Sequence, residues 1–300
     1  MKNFKKILLK RFLVIIGALI IDQLLGDPPN YLHPVGIFGS YVTFIQKRLY
    51  ANSKIKGAVF FLSSLLLPII TALMLPTFLE VPFMGLLLAR KSLQGSIRSI
   101  KEHLIEGDLI AAREVLQQIV SRDVNALDEA GIIKAAIESL AENTNDAVIS
   151  PIVNYLILGS PGLVSQKAVD TLDSMVGYKT DKYLKFGFVS AIADDIINRL
   201  SGIMMYIFGV FFLTKKKRSF QIVRSAMSHP SFNAGLVEAL YAAVLGINLG
   251  GNYVSELKEK RPEINFGFEP QLEDLDRAIK LSDEILIGLL LTIGAICILS

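Results

Sequence analysis

Apolar and polar positions fall in long blocks along this chain, and the blocks have the lengths of membrane helices and of the segments between them. Gly57 to Leu79 runs for 23 residues without a charge, enough to cross a bilayer as a helix. Pro68 and Pro76 lie within it, and a bundle tolerates such kinks. Ala147 to Gln166 is uncharged over 20 residues but carries Pro151, Asn154 and Pro161, so the pattern predicts a broken span or a re-entrant element. Leu200 to Thr214 and Ile285 to Ser300 are shorter apolar runs that become spans if flanking helical turns are added. Phe12 to Ile21 is shorter still, and it sits behind Lys2, Lys5, Lys6, Lys10 and Arg11. That resembles a signal-peptide start, but no small-residue cleavage site follows, and the segment is read as retained. Ala239 to Ser255 is apolar and Gly-rich and is placed against the bundle or in the interface.

Three polar stretches separate these blocks: residues 90–146, 167–199 and 252–284. The first has helical periodicity and both charge signs. The last begins as a Gly/Pro-containing loop and becomes an amphipathic helix with Leu275, Ile279 and Ser282 on one side. No internal repeat, low-complexity tract or linker is present, so residues 1–300 are expected to form a single membrane-embedded domain. The expected fold class is all-α: a multi-pass helical bundle in the cell membrane, with amphipathic and polar helices at the membrane face.

Composition agrees with this. The chain of 300 residues is 52% hydrophobic and 20% charged, with a formal charge of +3. Disorder is excluded by the amount of apolar surface, and a disulfide scaffold by the single Cys297. The charge is too small to imply nucleic acid as a partner. It is also a cancellation. Basic clusters at Lys2–Arg11, Lys47–Lys56 and Lys215–Arg218 hold thirteen of the 31 positive residues and no acid, leaving eighteen against 28 acids elsewhere. Basic clusters beside apolar segments suit an anionic membrane surface. The positive-inside rule places all three in the cytoplasm, which would make the short segment between the first two re-entrant.

The acids gather in the polar stretches. Within Ser121 to Pro151, Ile133, Ile137 and Leu140 mark a buried helix face. Lys134, Glu138 and Glu142 share a different face, and Asp146 extends that row if the helix persists. A solvated face with ordinary i, i+4 pairs would explain it. Because the row runs into an apolar segment, where carboxylates are costly unless paired or functional, a second reading stands beside it. In that reading Glu138, Glu142, Asn143 and Asp146 hold Mg²⁺ with phosphate. Between Lys167 and Asn198, Asp170 and Asp173 are spaced i, i+3, and Asp194 and Asn198 share a helix face. Asp173, Asp194, Asp195 and Asn198 are hard oxygen donors of the kind Mg²⁺ takes. Lys167, Lys179 and Lys182 could neutralise phosphate. N-capping by Asp and Ser around Asp170 to Ser174 is the plainer alternative. In His229 to Gly235, Ser231 and Asn233 precede small residues, which reads as an N-cap, with anion binding as the other option. Gly26-Asp27-Pro28-Pro29 is a turn, and Asp22 at the end of an apolar run is either interfacial or paired inside the bundle. The three histidines have no ligand spacing, and there is no Walker A loop, Rossmann fingerprint or GxSxG elbow.

DQLLGDPPNYLHPVG, LDEAGIIKAAIESLAENTNDAVISP, TLDSMVGYKTDKYLKFG and HPSFNAG with GINLGG and KRP resemble the adenosylcobinamide-phosphate synthase family of cobalamin-biosynthesis membrane proteins. The resemblance covers most of the chain, from Asp22 to the helix near Ile279. It implies an enzyme that joins aminopropanol, or its O-phosphate, to a propionate carboxyl of the corrinoid adenosylcobyric acid, forming an amide with ATP and Mg²⁺. It implies a general base among Glu138, Glu142 and Asp146. It also implies substrate or phosphate contacts from Arg122, Asn143, Lys167, Lys179, Ser231 and Asn233. Partners would be the corrinoid, the amino-alcohol phosphate, membrane lipid and a complex with later pathway enzymes. Val124, Phe232 and Arg199-Leu200-Ser201-Gly202 depart from the family pattern, and Arg199 could replace an arginine missing from it. A corrinoid-binding or transport component without ligase activity is the competing expectation. A prenyltransferase with Asp-rich motifs is a remote third.

Overall fold

The computed structural model describes residues 2–29, 31–214, 218–254 and 260–299. Lys215 to Lys217 of the third basic cluster, and residues 255–259 of the expected Gly/Pro loop, lie outside them. In chain order the helices are α1 (Lys2–Leu25), α2 (Pro34–Leu49), α3 (Lys54–Leu73), α4 (Glu80–Gly85), α5 (Arg90–Ile105), α6 (Leu109–Gln117) and α7 (Glu129–Thr144). They continue as α8 (Ser150–Leu158), α9 (Ser160–Val176), α10 (Phe188–Ile197), α11 (Arg199–Phe208), α12 (Ser219–Ser228), α13 (Phe232–Leu245) and α14 (Glu273–Leu299). One antiparallel hairpin, β1 (Asn248–Val254) with β2 (Lys260–Asn265), stands among them. The expected all-α membrane fold is thus what forms. The hairpin is a departure, because the segment expected to be a loop carries backbone pairing.

Among the described residues, three helical stretches are long and apolar enough to cross a membrane: Lys54–Leu73, Phe188–Leu213 and Glu273–Leu299. Each overlaps a run expected to span, although the first ends at Leu73 and not at Leu79. Their outward residues are apolar, with Leu62, Leu66 and Leu73 on the first, Ile196, Phe211 and Phe212 on the second, and Leu291 and Ile298 on the third exposed. Such surface is stable against lipid and costly in water. The amphipathic start of α14 runs straight into the third span, and Leu275, Ile279 and Ser282 are buried as their spacing requires.

The described residues fall into two compact units, each assembled from separate stretches of chain. The first contains the chain up to Lys91, Asp146–Leu200 and the stretch from Ile293; the second contains Ser92–Asn145 and Ser201–Thr292.

In the first unit, Phe60 of α3 and Phe186 before α10 stack with ring centroids 4.8 Å apart, at the centre of a cluster with Val42, Ile45, Val169, Leu172 and Val176. The uncharged run from Ala147 breaks at Gly159, whose φ of 72° is open to glycine at no steric cost. The prolines fall where a helix tolerates them, at the first turns of α8 and α9. Two residues of the first basic cluster serve the protein itself. Arg11 donates to the carbonyls of Leu156 and Ile157 at the end of α8, and Lys10 pairs with Glu80 at 2.9 Å.

In the second unit, α7 and α13 are buried on nearly every side. Tyr241 donates its hydroxyl to Thr144 Oγ1 at 3.2 Å, tying the two together. Lys101 pairs with Asp276 and Gln94 donates to Asp283, joining α5 to α14.

Candidate functional site

The second unit holds a buried charge cluster. Glu138 on α7 is fully buried. Its Oε2 pairs with Arg122 Nη2 at 2.8 Å, and its Oε1 accepts the Gly250 N–H at 2.7 Å. Arg122 comes from the loop between α6 and α7, and Gly250 from β1. Gly250 has φ 71°, and a Cβ there would lie 2.1 Å from the Pro262 carbonyl oxygen, so the β1 backbone approaches the carboxylate only as glycine. Lys134 leaves the expected row to pair with Glu269. Glu142 and Asn143 are half-buried one turn further on, and Asn143 donates to the Ser139 carbonyl at 2.9 Å. The shared face of Lys134, Glu138 and Glu142 is therefore split. One member is sealed inside, one is paired across to the hairpin region, and one stays accessible.

In the same unit Ser231 is the N-cap of α13, accepting from Ala234 N, so the capping reading of this motif holds. Asn233 is buried beside it. His229 Nε2 lies 3.7 Å from Glu238 Oε2, with both side chains almost wholly buried. Gly235 leaves room for the ring: a Cβ there would meet His229 Cβ at 2.4 Å. No motif marks Glu238, although a lone acid in the apolar run of α13 is the kind of position that signals a paired or functional carboxylate.

The first unit gathers the second set. Asp194 and Asn198, expected on one helix face, meet at 2.8 Å, with Asn198 Nδ2 donating to Asp194 Oδ1. Asn198 Oδ1 accepts from Ser150 Oγ at 2.5 Å and from Gln166 Nε2 at 3.1 Å. Gln166 also donates to the Asp146 carbonyl at 2.9 Å. This buried chain of amides fixes the Asp194 carboxylate, which is close enough to Asp170, Asp173 and Asp195 to feel their charge. Lys167 is buried and pairs with Asp170 at 3.1 Å. Lys179 is exposed on the loop after α9, and Arg199 is exposed at the start of α11. Asp146 sits in a π-turn, Asn145–Ile149, which displaces the row of Glu138 and Glu142 beyond α7. Such turns recur at functional sites.

Of the residues expected at the site, Arg122, Glu138, Glu142, Asn143, Ser231 and Asn233 thus lie in the second unit. Asp146, Lys167, Asp173, Lys179, Asp194, Asp195 and Asn198 lie in the first. Asn198 spends its amide on Asp194, Ser150 and Gln166, and so orients a carboxylate. Among the described residues no three His, Cys, Asp or Glu side chains converge as a preformed metal cage. Mg²⁺ needs none, since it binds through one or two carboxylates and completes its shell with water and phosphate. The donor chemistry of Asp173, Asp194 and Asp195 fits that mode.

The chain matches the CobD/Cbib protein family over residues 15–282. It is 36% identical over 260 residues to the cobalamin biosynthesis protein CobD of Geobacter metallireducens, covering 80% of this chain and 82% of the relative. It is 33% identical to the protein of that name from Halalkalibacterium halodurans, over 93% of this chain and 94% of the relative. To the probable cobalamin biosynthesis protein CobD of Pyrococcus furiosus it is 37% identical, over 93% and 96%. No solved structure matches the chain. A match of this extent leaves one conclusion: the chain belongs to the CobD/Cbib protein family.

Proposed function

We propose that this chain is an amide-forming ligase of cobalamin biosynthesis in the cell membrane. It joins an amino-alcohol phosphate to the propionate carboxyl of adenosylcobyric acid at the expense of ATP. The observation that carries this reading is the cluster on α9 and α10: Lys167, Asp170, Asp173, Asp194 and Asp195, with Asn198 fixing Asp194 from below. A lysine among carboxylates, beside a hydrogen-bonded amide chain, suits phosphate together with a divalent cation.

Amide formation from a carboxylate needs an activated acyl group. The propionate oxygen attacks the terminal phosphorus of ATP, giving an acyl phosphate and ADP. The amine nitrogen then attacks the acyl carbon and inorganic phosphate leaves. The proton lost by the amine passes to a carboxylate, for which Asp146, in the same unit as the cluster on α9 and α10, is the candidate. Glu138 and Glu142 lie in the other unit, and Arg122 and the Gly250 N–H already occupy the oxygens of Glu138. Asp173, Asp194 and Asp195 would hold Mg²⁺, which neutralises charge on the phosphates when bound. Lys167 supplies a fixed point charge to the same end, and exposed Lys179 a mobile one.

The test is direct. Detergent-solubilised protein is incubated with adenosylcobyric acid, aminopropanol O-phosphate and MgATP, and the amide is sought by mass spectrometry. One observation favours a second reading, a corrinoid-binding or transport component: Asp194 and Asp195 lie within the apolar stretch Phe188–Leu213, and transporters place ionisable groups inside their spans. Folded protein that binds the corrinoid but makes no amide would support that reading instead.

A further inference from the structure

Two segments far apart in the chain are joined at one face of the first unit: the end of α2 with the turn into α3, and the loop between α9 and α10. Gln46 donates to the Tyr183 hydroxyl at 2.9 Å, and the Tyr50 hydroxyl donates to the Lys182 carbonyl at 3.1 Å. The Tyr50 ring meets Tyr183 edge-on, with centroids 6.4 Å apart, and Phe186 at 5.1 Å. Gly57, in the first turn of α3, has no room for a side chain, because a Cβ there would lie 2.1 Å from the Phe186 carbonyl oxygen. Lys54 Nζ stands 3.7 Å over the Phe188 ring. Lys54 opens one membrane-length stretch and Phe188 opens another, so the two begin side by side.

The junction merges two groups of cations. Lys47, Arg48, Lys54 and Lys56 come from the first segment, Lys182 and Lys185 from the loop, and all six are exposed. Asp181 is the one acid in residues 44–57 and 178–188. The N-termini of α3 and α10 add the positive ends of their dipoles. Ile55 and Leu184 are exposed among the cations, and Tyr50 is exposed beside them. Cations, tyrosine and outward apolar side chains at the mouth of two spans make up a bilayer interface, where apolar groups enter the acyl boundary and lysines reach the headgroups. A soluble polyanion would account for the cations, but not for Ile55 and Leu184 standing outward between them.

We propose that this face docks the headgroups of anionic phospholipids in the cytoplasmic leaflet, and so holds the Lys54 and Phe188 ends of the two stretches on the cytoplasmic side. The leaflet follows from the bias of basic residues toward the cytoplasm and from the negative surface found there. The proposal is independent of the ligase reading.

Full-length protein in dodecyl maltoside is titrated with phosphatidylglycerol or phosphatidylcholine, and bound lipid is read by native mass spectrometry. The wild type should prefer phosphatidylglycerol about twentyfold or more, since each basic residue near an anionic surface is worth about fivefold. Lys47→Gln combined with Lys185→Gln removes two such factors and should leave a preference of a few-fold at a native melting temperature. Lys47→Arg combined with Lys185→Arg should keep it. Equal affinity of the wild type for the two lipids, or a preference untouched by the glutamine pair, would overturn the surface. So would displacement of phosphatidylglycerol by inorganic phosphate, the mark of a site for soluble anions. The leaflet is tested by Lys185→Cys in a Cys297→Ala background with a membrane-impermeant maleimide. Labelling is expected in inside-out vesicles and not in intact cells; labelling in intact cells would overturn the cytoplasmic placement.

Discussion

Glu138 and Arg122, sixteen residues apart in the chain, meet through a 2.8 Å ion pair in which the carboxylate is wholly buried. The pair fastens the loop before α7 to the helix itself. A buried ion pair is weak evidence for net stability, but removing one partner strands a charge, at a cost of roughly 3–5 kcal/mol. Arg122→Ala should therefore destabilise the second unit by an amount within that range, seen as a markedly lower unfolding temperature. Arg122→Lys should recover only part of the loss, because an ammonium lacks the planar fork of a guanidinium. Thermal unfolding in detergent distinguishes the two; equal, near-native midpoints would show that the pair is dispensable.

The other oxygen of Glu138 depends on glycine. Gly250→Ala places a Cβ in the left-handed region and against the Pro262 carbonyl, so the hairpin must move and the N–H bond to Glu138 lengthens. Strain of this kind costs about 1–3 kcal/mol. The expected outcome is faster amide hydrogen exchange across β1 and at Glu138. Protection unchanged from the native protein would count against the contact.

Asn198 donates to Asp194 and is itself held by Ser150 and Gln166. Asn198→Asp preserves shape but replaces the donating amide with a carboxylate facing Asp194. We expect turnover to fall at least about tenfold while the protein stays folded, since a lost charge-assisted hydrogen bond is worth about 1.5–3 kcal/mol. Raised Mg²⁺ should restore part of the loss by screening the new pair. Native turnover at low Mg²⁺ would show that Asp194 needs no orienting group.

His33 carries a pH dependence whose sign follows from its cap. Burial holds the ring below its ordinary pKa of 6.5; Lys167 acts in the same direction, and Asp27 opposes it. The unfolded ring takes up its proton first as pH falls, so stability is greatest above about 6.5 and declines below it, until the native ring is protonated too. Protonated Nδ1 could no longer accept the Val35 N–H. A melting series from pH 7.5 to 5.5 should show this decline in the native protein and a smaller one in His33→Asn. Identical slopes would assign the pH effect to other groups.

Local pattern carried the parts of the fold that local physics decides. The spans at Lys54–Leu73 and at the end of α14 were legible because an uncharged run of that length has few alternatives. Asp194 and Asn198 were legible as partners because one helical turn separates them. Glu138 was placed with Lys134 and Glu142 by periodicity, yet its burial comes from Arg122 and Gly250, distant in sequence. The hairpin segment reads as a loop because Gly250, Gly251 and Pro262 are weak strand formers; the pairing of β1 with β2 is what the local pattern does not show. Glu238 gives no spacing signal, because its partner, His229, lies on the turn before α13.

Product stoichiometry tests the central claim most directly. Purified protein in detergent receives adenosylcobyric acid, aminopropanol O-phosphate, ATP and Mg²⁺, and amide and ADP are quantified together. A ligase yields the two in equal amounts, loses both when Mg²⁺ is chelated, and without the amine makes no amide and ADP only up to about one equivalent of protein. Folded, corrinoid-binding protein that yields neither product would contradict it.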